Sequence, residues 1–375
     1  MIDRLVLRCD FANPETLSLR NLGIPLECSI NPDGTYYGLR HRWESIPSSF
    51  SGLACKVYDT PSSERTPFIE IKASPAKLAQ GHNLFGSDNL GECAYTLIEV
   101  LYQAYPVLFT ELDHDSWEVA EVDITYHSRA RNQREVEQFI NALQNVSNGQ
   151  TKARVGYSGT SYFGQKNSRI KKVKVYDKLR EFLHDLDEIR KRGDPFKVLE
   201  RLEVERLKEF AANMIRWEVT LKTRWFTRRD IPTNLARMCS VFDAAKMWQE
   251  GMADILKALE GEDMRLVKDD EVMRELKARF GTVTKKGMMS YANAQAAYRT
   301  YRAIKKEGWQ EVRDTMAKTT FNRHVSMLHH CGFSRASLQN MHGEGIGGEV
   351  IPFVRFVSVE FGNQFPEWYQ HKQIA

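Results

Sequence analysis

From Met214 to Thr223 the sequence reads MIRWEVTLKT. Apolar and polar side chains alternate along this stretch, a pattern that is typical of a β-strand with one buried face and one polar face. The apolar face is formed by Ile215, Trp217, Val219 and Leu221. The polar face carries Arg216, Glu218, Thr220 and Lys222.

Three other stretches, residues 67–72, 117–127 and 169–178, show a similar alternation. Their polar positions are Glu70 and Lys72 in the first, Glu121, Asp123, Thr125 and His127 in the second, and Lys172, Lys174, Tyr176 and Lys178 in the third. If the four strands lie in one antiparallel sheet, its polar face gathers three carboxylates and one phenol among lysines. These are Glu70, Asp123, Glu218 and Tyr176.

Such a polar face predicts a metal-dependent site. Three carboxylates in one place repel each other unless a cation neutralises them, and hard divalent cations prefer oxygen ligands. A tyrosine beside that cation is a candidate nucleophile toward a phosphodiester, and Lys174 and Lys178 are expected to favour its phenolate form. The alternative is that an antiparallel sheet with one solvated face displays mixed charges there without chemistry.

The secondary-structure pattern changes along the chain and predicts two domains of an α+β protein. Residues 1–230 are rich in strand patterns, with a helix at 93–105, whereas residues 235–340 have helical periodicity almost throughout. The tail, 350–361, returns to alternation. We therefore expect a sheet domain over 1–230 and a mostly helical domain over 231–375.

Charge is unevenly distributed, although the net charge of the 375 residues is only +4. Residues 88–123 contain nine acidic and no basic residues, residues 166–180 seven basic and one acidic, and residues 285–335 ten basic and three acidic. Clustered positive charge favours a polyanionic partner. Solvated helix faces would give the same clusters.

Composition excludes several classes of protein. The hydrophobic fraction of 42% and the charged fraction of 27% are those of a folded globular protein. No apolar run is long enough to span a bilayer, and the first residues do not form a secretory signal. Six widely spaced cysteines without a CxxC pair argue against a zinc module and are expected to be reduced thiols in a cytosol.

Residues 309–333 have the spacing of a helix-turn-helix. A first helix is expected to end near Thr315 and a second to run from Thr319 or Thr320 to His330. Its buried stripe would be Phe321, Val325 and Leu328, while Asn322, Arg323 and Ser326 would face a DNA groove. Further phosphate contacts are expected from Arg299, Arg302, Lys305 and Lys306 on the preceding helix.

Several motifs resemble the gene II protein family of filamentous bacteriophages (inoviruses), the initiators of rolling-circle replication. The longest are EIKASPAK at 70–77, QGHNLFG at 80–86 and NVSNGQTK at 145–152. The resemblance extends over the whole chain, through Val122–Thr125, Val175–Tyr176 with Lys178, Arg216–Glu218, Lys222–Arg224 and Phe365–Tyr369.

The resemblance implies an enzyme that binds the phage origin in supercoiled double-stranded DNA and nicks the viral strand. The 3′-hydroxyl would be extended by a host replicative polymerase together with a host helicase. The displaced single strand would later be cut and rejoined into a circle, in the cytoplasm of the bacterial host. The implied fold is a variant of the His-hydrophobe-His nicking endonucleases, with a central antiparallel sheet flanked by helices. Assembly of several copies on the origin stays open.

The resemblance also implies roles for single residues. Tyr176 would attack the scissile phosphate, and Lys178 would stabilise the developing negative charge. Asp123 and Glu218 would hold Mg²⁺ or Mn²⁺, with Glu70 or His82 as the additional ligand. DNA contacts are expected from basic and polar residues in both domains, namely Lys172, Lys174, Arg216, Arg302, Lys305, Lys306, Asn322 and Arg323.

Some points depart from the family pattern or stay open. The paired histidines of the wider superfamily are absent, since the matching strand reads Asp123-Ile124-Thr125. Tyr157 and Tyr162 compete with Tyr176 as nucleophile. An internal start at Met264 would yield a shorter product like the gene X protein of these phages. The alternative function is that of a regulator that binds DNA without cutting it.

Overall fold

The structure is a computed structural model. It describes residues 1–14, 22–58, 67–148, 151–155, 159–165, 167–194, 197–259, 269–284, 287–342 and 359–369.

The strands lie along the chain in the following order. They are β1 (Ile2–Asp10), β2 (Leu26–Ile30), β3 (Tyr36–His41), β4 (Glu44–Pro47), β5 (Gly52–Tyr58), β6 (Phe68–Ala73), β7 (Glu118–Arg129), β8 (Ser147–Asn148), β9 (Thr151–Val155), β10 (Thr160–Phe163), β11 (Lys171–Asp177), β12 (Met214–Lys222), β13 (Thr282–Val283) and β14 (Met289–Ser290).

The helices are numbered in the same way, and a short 3-10 turn lies at His114–Ser116. They are α1 (Pro75–Gln80), α2 (Leu90–Ala104), α3 (Pro106–Thr110), α4 (Gln133–Leu143), α5 (Lys178–Lys191), α6 (Val198–Arg201), α7 (Val204–Ala211), α8 (Thr223–Thr227), α9 (Leu235–Cys239), α10 (Ala244–Leu259), α11 (Asp269–Phe280), α12 (Ala292–Glu307), α13 (Trp309–Thr315), α14 (Lys318–His330) and α15 (Arg335–Gln339). No helix among these is long and apolar enough to cross a bilayer.

A ten-stranded antiparallel sheet organises the first domain. Its order is β4-β5-β6-β1-β7-β12-β11-β10-β9-β8. The four strands predicted to share a sheet do so, and β12 lies between β7 and β11. In the register, Glu218 lies opposite Thr125 on one side and Lys174 on the other. The α+β class and the antiparallel sheet are therefore confirmed.

The two faces of the sheet follow the alternation of the sequence. Ile215, Trp217, Val219 and Leu221 of β12 are fully buried in the main hydrophobic core. The helices α2, α4, α9 and α10 pack on the sheet on this side. The opposite face carries the polar positions of β1, β6, β7, β11 and β12, so one face is packed and the other is available for chemistry.

Local sequence explains how two helices begin next to the polar face. Ser74 caps α1 by accepting a hydrogen bond from the Lys77 N–H at 3.4 Å, and Pro75 follows it. Asp177 at the end of β11 caps α5 by accepting from the Arg180 N–H at 3.2 Å. As a result, Lys178 is the first residue of a helix, whereas the alternation predicts that it belongs to the strand.

The C-terminal domain has its own core. Residues between Val272 and Leu338 form a separate hydrophobic cluster that includes Tyr301, Trp309 and Phe321. The helix α10, however, belongs to the core of the sheet through Trp248, Met252 and Ile255. The hydrophobic cores thus divide after Leu259, later than the boundary at residue 231 that the periodicity suggests.

The last described segment, residues 359–369, returns to the sheet domain. Phe361 contacts Tyr126 and Trp248, with ring centroids 4.7 and 5.6 Å apart. Phe365, Trp368 and Tyr369 surround Phe85 in a third hydrophobic cluster, formed with α5 and α7. The predicted strand at 350–361 lies mostly outside the described residues, and Met264 lies outside them as well.

Candidate active site

A cavity of about 520 Å³ opens on the polar face of the sheet, above β1, β7, β12 and β11. Four acidic side chains line it, and they are Asp3, Asp123, Glu181 and Glu218. Five basic side chains line it as well: Arg4, Lys72, Lys77, Lys172 and Lys174. This mixture of opposed charges distinguishes the cavity from a simple basic surface.

Glu218 is the centre of the cavity floor. It is 2% exposed, and its Oε1 lies 2.9 Å from the Lys174 Nζ. Its Oε2 accepts a hydrogen bond from the Tyr176 hydroxyl at 3.3 Å. Burial alone would lower the pKa of Lys174, but the charge of Glu218, assisted by Asp3 and Asp123, outweighs burial and raises it. Lys174 therefore stays protonated beside this carboxylate.

Asp123 is the second buried carboxylate of the cavity. Its Oδ2 lies 3.1 Å from the Arg4 Nε, and its buried Oδ1 has no hydrogen-bond partner among the described residues. Burial, followed by the neighbouring charge of Glu218, raises the pKa of Asp123 to about 7. A buried oxygen without a donor is costly, so a positive ligand at this position would be favourable.

Tyr176 lies below the cavity, where its hydroxyl reaches Glu218. Its side chain is 3% exposed, and burial together with Glu218 and Glu181 raises its pKa well above the ordinary value. The expectation that nearby lysines favour the phenolate is wrong in this arrangement. Lys174 and Lys178 lie over the ring, 5.0 and 6.0 Å from its centroid, while the hydroxyl meets a carboxylate.

Tyr162, the competing tyrosine on β10, is placed differently. It lies opposite Lys174 in the register, lines the cavity and is 40% exposed. Its phenol is thus more accessible to a substrate than that of Tyr176. Tyr157, the other competitor, lies outside the described residues.

Lys178 does not reach the cavity. Its side chain is fully buried, and its Nζ donates to the Asn83 Oδ1 at 2.8 Å and to Glu181. The Asn83 Nδ2 in turn donates to the Asp3 Oδ1 at 2.8 Å. Burial, only partly offset by Glu181, lowers the pKa of Lys178 to about 8. In this position Lys178 anchors Asn83, and Lys174 is the cation that faces the cavity.

The sequence analysis missed Asp3 and Asn83, which both line the cavity. Asn83 lies within the motif at 80–86, so the motif marked its segment but not its role. Asp3 belongs to β1, a strand that the alternation did not identify. A bulge between Ile2 and Arg4 interrupts the pairing of β1 with β7, which removes the alternating pattern there.

Arg216 is a structural residue in this fold, and its predicted contact with DNA is wrong for this arrangement. It is 1% exposed, and its guanidinium donates to the Asn83 carbonyl at 2.7 Å and to the Leu84 carbonyl. A buried guanidinium cannot contact a phosphate of DNA. It holds the 82–85 loop against the sheet.

Glu70 and His82 lie apart from the pair Asp123 and Glu218. Glu70 forms an ion pair with Arg8 at 2.7 Å and lines a second cavity, because β1 separates its strand from β7. His82 accepts a hydrogen bond from the Leu84 N–H at 3.3 Å and lines neither of these two cavities. Burial and then Lys178, Arg216 and Lys77 lower its pKa to about 3.

The residues that could hold a metal ion are therefore Asp123 and Glu218. Within the described ranges, no group of three histidine, cysteine or acidic side chains converges closely enough to form a metal site. The two carboxylates suit a cation nevertheless, because one buried Asp123 oxygen has no donor and the pair repels itself. Water and substrate oxygens would complete the coordination of a hard cation.

The other residues predicted to bind DNA are accessible. Lys172 is exposed beside the first cavity, and Arg302, Lys305, Lys306, Asn322 and Arg323 are exposed on the C-terminal helices. Lys305 forms an ion pair with Asp269 at 2.7 Å. The predicted helices at 309–315 and 318–330 are present, with Phe321 and Leu328 buried, and Ala317 instead of a threonine at the start of the second.

Comparisons with known proteins give a consistent result. Residues 1–244 match the N-terminal family, and residues 283–375 the C-terminal family, of the phage "replication-associated protein" that gene II encodes. The chain is 33% identical to the replication-associated protein of Enterobacteria phage M13 over 384 residues, 97% of this chain and 92% of that protein. It is 31% identical to the replication-associated protein of Salmonella phage IKe over 360 residues, 92% of this chain and 85% of the relative. No solved structure matches the chain.

Proposed function

Because the chain belongs to the gene II family of phage replication-associated proteins, we propose that it initiates rolling-circle replication by nicking one DNA strand at the phage origin. The observation that carries the proposal is the hydrogen bond between Tyr176 and Glu218, beside the partnerless oxygen of Asp123, on the floor of an accessible cavity.

The chemistry of these residues suits a phosphoryl transfer to tyrosine. The Tyr176 oxygen would form a bond to phosphorus while the bond from phosphorus to the 3′ oxygen breaks, which leaves a 3′-hydroxyl and a 5′-phosphotyrosyl link. The phenolic proton would pass to the Glu218 Oε2, its present acceptor. The reverse attack by a 3′-hydroxyl on the phosphotyrosine would rejoin a strand without ATP.

Charge neutralisation in the cavity would come from two sources. Lys174, whose ammonium lies beside Glu218, is placed to stabilise charge that develops on the phosphate. Asp123 and Glu218 would hold Mg²⁺ or Mn²⁺, which when bound polarises the phosphoryl oxygens. Asn83 and Lys178 would act behind this layer, by positioning the segment that closes the cavity.

The test is a nicking assay on supercoiled plasmid that carries the cognate origin, with Mg²⁺ or Mn²⁺. We expect open circles with the wild-type protein and none with Tyr176→Phe, while binding to the origin is kept. Tyr162→Phe, the exposed competitor, and Tyr95→Phe, an exposed tyrosine on α2 outside the site, are the matched controls.

The nucleophile can be identified directly by digesting the trapped protein–DNA adduct with trypsin. A nucleotide on the peptide of residues 175–178 would assign Tyr176, whereas a nucleotide on residues 155–166 would transfer the role to Tyr162 or Tyr157. Origin binding by the wild-type protein without nicking under any divalent ion would favour the alternative function, a regulator that binds DNA without cutting it.

A further inference from the structure

A second cavity, of about 400 Å³, lies on the same polar face and shares Arg4 and Lys72 with the first. It is lined by six basic side chains, and they are Arg4, Arg8, Lys72, Arg169, Lys222 and Arg224. Among the described residues, only two acidic side chains, Glu70 and Glu121, line it. The first cavity has five basic and four acidic side chains, so the second is by far the more positive.

The contacts in this cavity leave two arginines available. Glu121 pairs with Arg4 and with Lys222, whose Nζ lies 2.9 Å from it, and Glu70 pairs with Arg8. Arg169 and Arg224 are exposed, and neither has an ion pair in the part of the chain that the structure describes. The acidic groups are thus already neutralised, and the cavity keeps a surplus of positive charge.

Lys72 connects the two cavities in a fixed position. Its Nζ lies 3.4 Å from the ring centroid of Trp43, so a cation–π contact holds the ammonium between them. Of the residues with a described position, those that line the second cavity include neither a tyrosine nor a carboxylate whose buried oxygen has no donor. This lining therefore suits binding of a polyanion and not bond cleavage.

We propose that the second cavity binds the sugar–phosphate backbone of the single DNA strand that passes through the first. The inference rests on the proposed function for the identity of the polyanion. Arg4 and Arg8 are four residues apart on β1, about 13 Å along a strand. About four nucleotides at the duplex rise of about 3.4 Å span that distance, and fewer do when the strand is stretched.

The experiment measures binding of the full-length protein to fluorescent single-stranded oligonucleotides by anisotropy, in EDTA so that nicking does not occur. The test variant is the pair Arg169→Ala and Arg224→Ala. The control is the pair Arg134→Ala and Arg274→Ala, which removes two exposed arginines from other elements. All four are exposed, so the thermal unfolding midpoint should not change.

For an oligonucleotide long enough to occupy both cavities, we expect the test pair to weaken binding about threefold or more and the control pair to have no effect. The slope of log K against log salt should fall by about 1.4, since each lost phosphate contact accounts for about 0.7 on single strands. Shortening the oligonucleotide from one end to the length of the first cavity should make the wild-type and test proteins bind equally.

Three results would overturn the proposal. These are an unchanged affinity and salt slope in the test pair, an equal loss in the control pair, or a loss that persists with the shortened oligonucleotide. In the first case an acidic protein segment would become the occupant to test. Tyr176→Phe is included as a further control, because failure of the nicking chemistry would leave this binding result intact.

Discussion

Tyr176, Asp177 and Lys178 are consecutive, yet each has a different structural position. Tyr176 faces the polar side of the sheet, Asp177 caps α5, and Lys178 is the first residue of that helix. Strand periodicity predicts the face of Tyr176 correctly. It places Lys178 on the same face only because the sequence pattern does not show that the strand ends at Asp177.

Asp123 gives a pH-dependent prediction. Its pKa of about 7 in the fold exceeds the ordinary value of 3.8, so the folded protein binds the proton more tightly. This contribution to stability is present at acidic pH and is lost as pH rises toward and beyond 7. Asp123→Asn, which cannot ionise, should therefore raise the thermal unfolding midpoint by about 2 °C or more at about pH 8 without metal. Differential scanning calorimetry measures it.

The same variant contains its own control through the metal. Mg²⁺ or Mn²⁺ should raise the unfolding midpoint of the wild-type protein at about pH 8 and leave that of Asp123→Asn nearly unchanged. At about pH 4 the two proteins should differ little. A variant that is less stable than the wild-type protein at the higher pH would contradict the assignment of Asp123 as a repelled, partnerless carboxylate.

At the scale of elements, β1 explains why part of the site could not be predicted from sequence. The alternation in β7, β11 and β12 correctly brings Asp123, Glu218 and Tyr176 to one face. The sequence pattern does not give the order of strands, and the bulged β1 is inserted between β6 and β7. That insertion moves Glu70 to the second cavity and brings Asp3 into the first.

The helix α14 gives a prediction of its own. Asn322 and Arg323 are exposed on it, while Phe321 and Leu328 are buried in the C-terminal core. If this face contacts the origin, replacing both exposed residues by Ala should weaken binding to duplex origin DNA about tenfold. Nicking of a single-stranded oligonucleotide should be unchanged. Gel-shift titration measures the first property and a cleavage assay the second.

The control for α14 is Arg274→Ala, an exposed arginine on α11 of the same domain. It should leave origin binding unchanged if the contact belongs to α14 and not to the general positive charge of the domain. An equal loss in this variant, or a loss of affinity that is the same for unrelated duplex DNA, would reduce the helix to a non-specific phosphate contact.

At the scale of the whole molecule, the C-terminal segment 359–369 ties the end of the chain to the site. Gln364 accepts a hydrogen bond from the His127 N–H at 2.8 Å and donates to its carbonyl at 3.2 Å. This amide thereby continues the pairing of β7 beyond the start of β1. The aromatic side chains that follow it surround Phe85, next to the Asn83 carbonyl that Arg216 holds.

Gln364→Ala should therefore act at a distance from the substitution. It leaves the buried N–H and C=O of His127 without partners, which costs about 1–3 kcal/mol of unfolding free energy for each group that water cannot reach. Denaturant unfolding measures the loss, and hydrogen exchange should show a faster His127 amide. The matched control is Glu367→Ala, an exposed change in the same segment that should alter neither. If Gln364→Ala kept both wild-type stability and a protected His127 amide, the segment would not support the sheet. Since the same segment covers Phe85, the destabilised variant should also nick more slowly, in proportion to the loosening of the 82–85 loop.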